Sequence, residues 1–291
     1  NYFFNLFDGK LVHRGKIFRL GKQGYTVGYA SGNIGDGAYV GISDVDRALK
    51  DRMHLIVKLD DPAFCTTEKD DGEIFEQKKD PRATLPDVTQ DSLESILALH
   101  KSFKERPVPL ILPALGVFLH KGLDYLQGTS RHSKRAVDQI WPNVQGIRQD
   151  ADESKMMPLS KRAIIGATGL SQALAMIAES RGHAIEESAN LFLGALQFII
   201  PYSGVLSLPF ITQEKEGDAY AAYAALMENI QREIQGKKES LETALAVAIA
   251  GEKKEKLLDQ LLDQIASPTE GRWLPVRRYI EGLTDQKRFA Q

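Results

Sequence analysis

The chain has 291 residues, with 37 Lys and Arg against 39 Asp and Glu. That length buries a sizeable core and accommodates two domains, or one domain with an extension. The near-balance of charge excludes a global field that would draw the protein to nucleic acid or an anionic membrane, so either partner would need a local patch.

Cys65, the single cysteine, excludes an intramolecular disulfide framework and fits a reducing compartment. The longest apolar stretches are residues 110–119, broken by Pro113, and residues 191–200, stopped by Pro201. Both fall short of the roughly 20 residues a membrane span needs, and a soluble, cytoplasmic protein is expected.

In chain order, Tyr2-Phe3-Phe4-Asn5-Leu6-Phe7 reads as a helical run that the chain enters without an initiator methionine, as at a cut. Two short runs, 10–12 and 16–20, flank His13-Arg14-Gly15, which predicts a hairpin with Gly15 in the turn. Residues 25–30 and 54–59 are expected as strands, separated by a glycine-rich loop (31–41) and a short helix (43–52). Strand, loop, helix, strand is an αβ-layer pattern, and parallel burial would account for the apolar character of the second run. The acidic cluster Glu68, Asp70, Asp71 and Glu73 reads as solvated loop charge.

From about residue 88 the spacing is helical and no strand is expected. Leu93, Ile96, Leu97 and Phe103 share one face. Ala167, Leu170, Leu174, Ile177 and Ala178 share another, on a helix opening at Ser160 and closing at Gly182. Residues 128–157 are polar and longer than a usual helix connection. After residue 212, Tyr220, Tyr223, Met227, Ile230 and Ile234 recur in threes and fours, as do Leu258, Leu261, Leu262 and Ile265. Two long antiparallel helices turning near Gly236 or Gly251 are expected, with these stripes facing the core.

Familiar catalytic signatures are absent from the sequence. A P-loop requires G-x-x-x-x-G-K-[S/T], so that backbone N–H groups wrap the phosphates while Lys and a hydroxyl reach the γ-phosphate and Mg²⁺. The Gly-Lys pairs beginning at Gly9, Gly15, Gly21 and Gly236 are followed by Leu11, Ile17, Gln23 and Lys238, none of which supplies that hydroxyl. No apolar strand ends in Asp-Glu. The sequence also lacks H-E-x-x-H, paired Cys and G-x-S-x-G patterns. His13, His54, His100, His120, His132 and His183 lack ligand spacing and read as surface or packing residues.

One block stands out: Tyr25-Thr-Val-Gly-Tyr-Ala-Ser-Gly-Asn33, then Gly35 to Gly41, then Asp46-Arg47-Ala-Leu-Lys-Asp51-Arg52 leading into the apolar run before Asp60. It resembles the sensor 1 strand and arginine-finger segment of MoxR-type AAA+ ATPases. Leu159-Ser-Lys-Arg162-Ala-Ile-Ile resembles the family's Ser-Pro-Arg-Ala sensor 2 motif, with Lys161 in place of the usual proline. The stretch from His183 to Pro201 resembles the next lid helix and its end. The opening run and hairpin resemble the family's segment after the metal-binding strand. The likeness extends from residue 1 to about 205.

This resemblance implies an α/β remnant of a P-loop AAA+ core (1–80), an all-helical lid (81–211) and a helical C-terminal extension (212–291), mostly α overall. Asn33 would be sensor 1 and Arg52 the arginine finger, with Arg47 as the alternative. Arg162 would be sensor 2, facing the ATP phosphates. The family implies an ATP- and Mg-dependent remodeller assembled as a homo-oligomeric ring, a hexamer by resemblance, working with a von Willebrand A-domain partner. Without the P-loop, this chain is not expected to hydrolyse ATP alone. The alternative is a non-catalytic helical protein-interaction module. Nucleic-acid binding through Arg131, Lys134, Arg135 and Arg148 is disfavoured, because Asp138, Asp150, Asp152 and Glu153 interrupt the positive charge.

Overall fold

The computed structural model describes residues 9–21, 25, 27–28, 50, 53, 55–57, 66–76, 90–126, 131–132, 141–143, 146–148, 150–184, 187–250 and 255–290. Those residues are mostly helical, with small antiparallel strand pairs. The chain divides into two compact units, residues 1–29 with 56–106 and residues 30–55 with 107–291.

In the first unit, β1 (Lys10–His13) pairs with β2 (Lys16–Arg19) in antiparallel register, Lys10 opposite Arg19 and His13 opposite Lys16. Arg14 and Gly15 both have positive φ, 47° and 75°, the geometry of a tight hairpin turn whose twist matches its strands. The expected hairpin is therefore present, although Ile17 is 67% exposed and Phe18 50%.

The acidic cluster departs from the expectation of loop charge. It opens α1 (Glu68–Glu76). Thr67 N–H donates to Asp70 Oδ2 at 2.9 Å while Asp70 N–H donates to Thr67 Oγ1 at 3.2 Å. This reciprocal cap satisfies amides that an uncapped helix start leaves unpaired, and the acids lie at the positive end of the helix dipole. In α2 (Gln90–Glu105), Leu97 is buried, Leu93 and Phe103 are half-buried, and Ile96 is exposed. The Tyr25 ring meets His100 edge-on at 5.1 Å.

The strands expected at 25–30 and 54–59 are not borne out where those segments are described. Tyr25 is an isolated bridge residue, and Leu55, Ile56 and Val57 carry no strand. An apolar run becomes a buried parallel strand only between neighbours that complete its ladder, and every strand pair among the described residues is antiparallel. The opening helix at 2–7 and the loop at 31–41 lie outside the described residues, as does the helix at 43–52 apart from Lys50.

The second unit is built around α3 (Ile111–Lys121). Pro113 sits in its first turn, where a missing N–H leaves no intrahelical bond unmade. Leu112, Leu115, Phe118 and Leu119 are fully buried. A 3₁₀ turn, Gly122–Asp124, then leads to a two-residue antiparallel ladder of β3 (Tyr125–Leu126) and β4 (Arg131–His132). This pair and a bridge between Met156 and Leu206 correct the expectation of no strand beyond residue 88. Two residues are too few to leave a period-2 signature in the sequence.

The short α4 (Asp152–Lys155) follows, then α5 (Lys161–Ser180) and α6 (Ser188–Ala195), the latter extended by a 3₁₀ turn at Leu196–Phe198. α5 opens at Ser160 and turns out at Gly182, as expected, but its buried residues are Gly166, Ala167, Ser171, Gln172 and Ala175. Of the expected stripe only Ala167 is buried, and Ile177 is exposed. α3 approaches α5 closely at Gly116, where a Cβ would lie 2.6 Å from Ile164 Cγ2.

α7 (Ala219–Ala250) runs unbroken through Gly236, so of the two expected turning points that one is excluded. A mid-helix glycine costs about 1 kcal/mol, less than burying Ile234 and Leu241 on either side provides. α8 (Glu255–Ile265) returns along the second half of α7, its Gln264 accepting from Lys237 at 3.1 Å and from Ser240 at 2.7 Å. α9 (Leu274–Ala290) packs on α3 and α7. One continuous core joins Phe118, Phe192, Ile230, Leu245, Leu262 and Val276, so the helices after 212 share the core of those before it.

Candidate functional site

Of the residues assigned to nucleotide response, Arg162 is the one the structure describes; Asn33, Arg47 and Arg52 lie outside the described residues. Arg162 occupies the first turn of the 20-residue α5. Ser160 caps that turn, its side chain accepting the Ala163 N–H at 3.1 Å.

The end of α3 fixes the position of this helix start. Leu159 N–H donates to the Leu119 carbonyl at 3.1 Å, and His120 Nδ1 donates to the Leu159 carbonyl at 2.7 Å. His120 thereby ties the end of α3 to the residue before the α5 cap. The chain reversal brings the last turn of α3, with Lys121, beside the first turn of α5, with Lys161 and Arg162. All three long cations are exposed, and the first turn of α5 contains no acid. Cations at a helix N-terminus add to the positive end of its dipole. Charge and donor chemistry at this end suit a phosphate-bearing group.

No family model, curated protein or solved structure matches the chain.

A second polar cluster escaped the sequence reading. Arg272, just before α9, donates from Nε to Glu233 Oε1 at 2.9 Å and from a terminal nitrogen to Glu233 Oε2. Its other terminal nitrogen reaches Asp152 Oδ2 at 3.0 Å. Trp273 Nε1 also donates to Glu233, at 2.5 Å. The Arg272 guanidinium lies 5.7 Å from the Phe118 ring centroid, while Lys237 Nζ lies 5.7 Å from that of Trp273. Burial lowers the Lys237 ammonium below its ordinary pKa. Partners separated by 120 and 39 positions leave no local spacing signal, so only folding reveals the cluster.

The basic residues considered for nucleic acid are not gathered into a described patch. Lys134 and Arg135 lie outside the described residues and the Arg131 side chain is not described, while Arg148 pairs with Asp150 at 3.7 Å.

Proposed function

We propose that this chain is part of a MoxR-like AAA+ ATPase that couples ATP hydrolysis to remodelling or assembly of a partner protein, with Arg162 reading the nucleotide phosphates from the helical lid. The observation supporting this reading is the placement of Arg162. It lies in the capped, acid-free first turn of a long helix, exposed and accompanied by Lys161. An anion binds there through the side-chain charge and the positive end of the helix dipole.

ATP supplies the phosphoanhydride to be cleaved. Arg162 orients it and withdraws negative charge, Asn33 positions the attacking water, and Arg52, or Arg47, offers a guanidinium to a neighbouring subunit's nucleotide in a ring. Mg²⁺ and the β- and γ-phosphates would be held by a P-loop and an acidic strand outside these residues. A von Willebrand A-domain protein is the partner class this reading favours.

The test is ATP turnover by the full-length protein. Arg162→Ala is expected to lower kcat by about 10²-fold, the usual cost of losing one charge-stabilising group, and Arg162→Lys to recover part of the loss. Wild-type turnover by Arg162→Ala at every ATP concentration would exclude the assignment.

A second reading, a non-catalytic helical interaction module, is favoured by the exposed apolar side chains on α5, with Ile165 at 68% exposure. It requires partner binding that is indifferent to nucleotide and to Arg52→Ala.

A further inference from the structure

We infer that α1 of one copy of this chain docks on the first turns of α5 in another copy, an acidic apolar helix meeting a basic apolar one. The inference is independent of the nucleotide reading. α1 contains no buried residue; Phe75 is 82% exposed, and Ile74 beside it is exposed as well. A helix of nine residues without a packed face is marginal in water. Local bonds hold this one: the Thr67–Asp70 cap, a Thr66 hydroxyl donating to Asp71 at 2.6 Å and a Lys69–Glu73 pair at 3.8 Å. Its apolar end packs on nothing in its own chain and suits the surface of a partner.

The charge on α1 defines the surface it fits. Residues 68–76 include five acids and one lysine, so the matching face is apolar with cations close by. The start of α5 has that combination: Lys161 and Ile165 are both exposed, Ile165 at 68%, and the first turn contains no acid. The spacing also matches. Asp71 and Phe75 are four residues apart on α1, as are Lys161 and Ile165 on α5, so each pair lies along one helix face, a turn apart. Laid side by side in the same direction, the two helices set Asp71 against Lys161 and Phe75 against Ile165 at once. Gly169, one turn further along α5, has no side chain and leaves room beside Ile165 for the Phe75 ring. Each copy presents one surface of each kind, so the contact is heterologous and runs from the α1 of one copy to the α5 of the next.

Sedimentation velocity on the full chain, without nucleotide, tests the proposal. Self-association that grows with concentration is expected. Phe75→Gln and Ile165→Gln each replace an exposed side chain with a good helix former, and each is expected to weaken association by about tenfold or more. Lys161→Glu should weaken it to a similar extent by setting acid against acid. Phe75→Gln retains the α5 surface and Ile165→Gln retains α1, so the two variants mixed should form a dimer that neither forms alone at the same concentration. A wild-type chain that stays monomeric at about 100 µM would overturn the docking. So would self-association unchanged in both glutamine variants, or a mixture no more associated than its components.

Discussion

The Phe118 ring and the Trp273 indole are stacked, 4.2 Å between centroids and 20° between planes. Phe118 belongs to the central helix of the second unit and Trp273 to the turn entering α9, so this contact fastens the end of the chain to its middle. Trp273 is 4% exposed and also donates its indole N–H to Glu233. Trp273→Ala is expected to cost about 3–5 kcal/mol in urea unfolding. Trp273→Phe should lose less, since it keeps the stack and forfeits the hydrogen bond. Equal losses for the two variants would show that the hydrogen bond, not the aromatic packing, dominates.

Beneath that stack, the backbone approaches closely at Gly122. A Cβ there would lie 2.4 Å from the Arg272 carbonyl oxygen and 2.9 Å from the Phe118 ring. Neither backbone nor a buried aromatic yields cheaply, so Gly122→Ala is expected to destabilise by about 1–3 kcal/mol. Its melting temperature should fall, whereas Gly236→Ala, with nothing within 4 Å, should raise stability through helix propensity.

Tyr223 is buried on α7 and donates its hydroxyl to the Leu193 carbonyl at 3.2 Å. Tyr223→Phe leaves that carbonyl one donor short and should cost about 1 kcal/mol by denaturant titration. Burial pushes the phenol far above its ordinary pKa. Its ultraviolet ionisation is accordingly expected to accompany alkaline unfolding rather than precede it.

Asp70 gives the first unit a pH signature. The backbone N–H and then the hydroxyl of Thr67 hydrogen-bond its carboxylate and hold it below its ordinary value of 3.8. Because the folded-state value is depressed, the contribution is present above the unfolded value and is lost as pH falls through the folded one. An NMR titration should place the Asp70 midpoint below that of an unstructured aspartate, and Thr67→Ala should raise it. A midpoint unchanged by Thr67→Ala would remove the cap as the cause.

The sequence determined what local chemistry determines. His13-Arg14-Gly15 specified the hairpin, Ser160 and Gly182 bounded α5, and the threes and fours from Tyr223 to Ile234 marked the buried face of α7. Arg162 was legible as a first-turn arginine because a cap and a following helix are read within a few residues. The Thr67–Asp70 cap was equally local in the sequence, yet the density of acid around it read as loop.

Tertiary structure alone decided what depends on distant partners. It buried Gly166, Ala167 and Ala175 of α5 and left Ile165 and Ile177 exposed, reversing the order that hydrophobicity alone suggests. It brought Arg272 to Asp152 and Glu233, and it merged the C-terminal helices into the core around Phe118. Caps and turns are fixed by neighbours in the chain. Packing faces and ion clusters are fixed by which surfaces meet, and no local period records that choice.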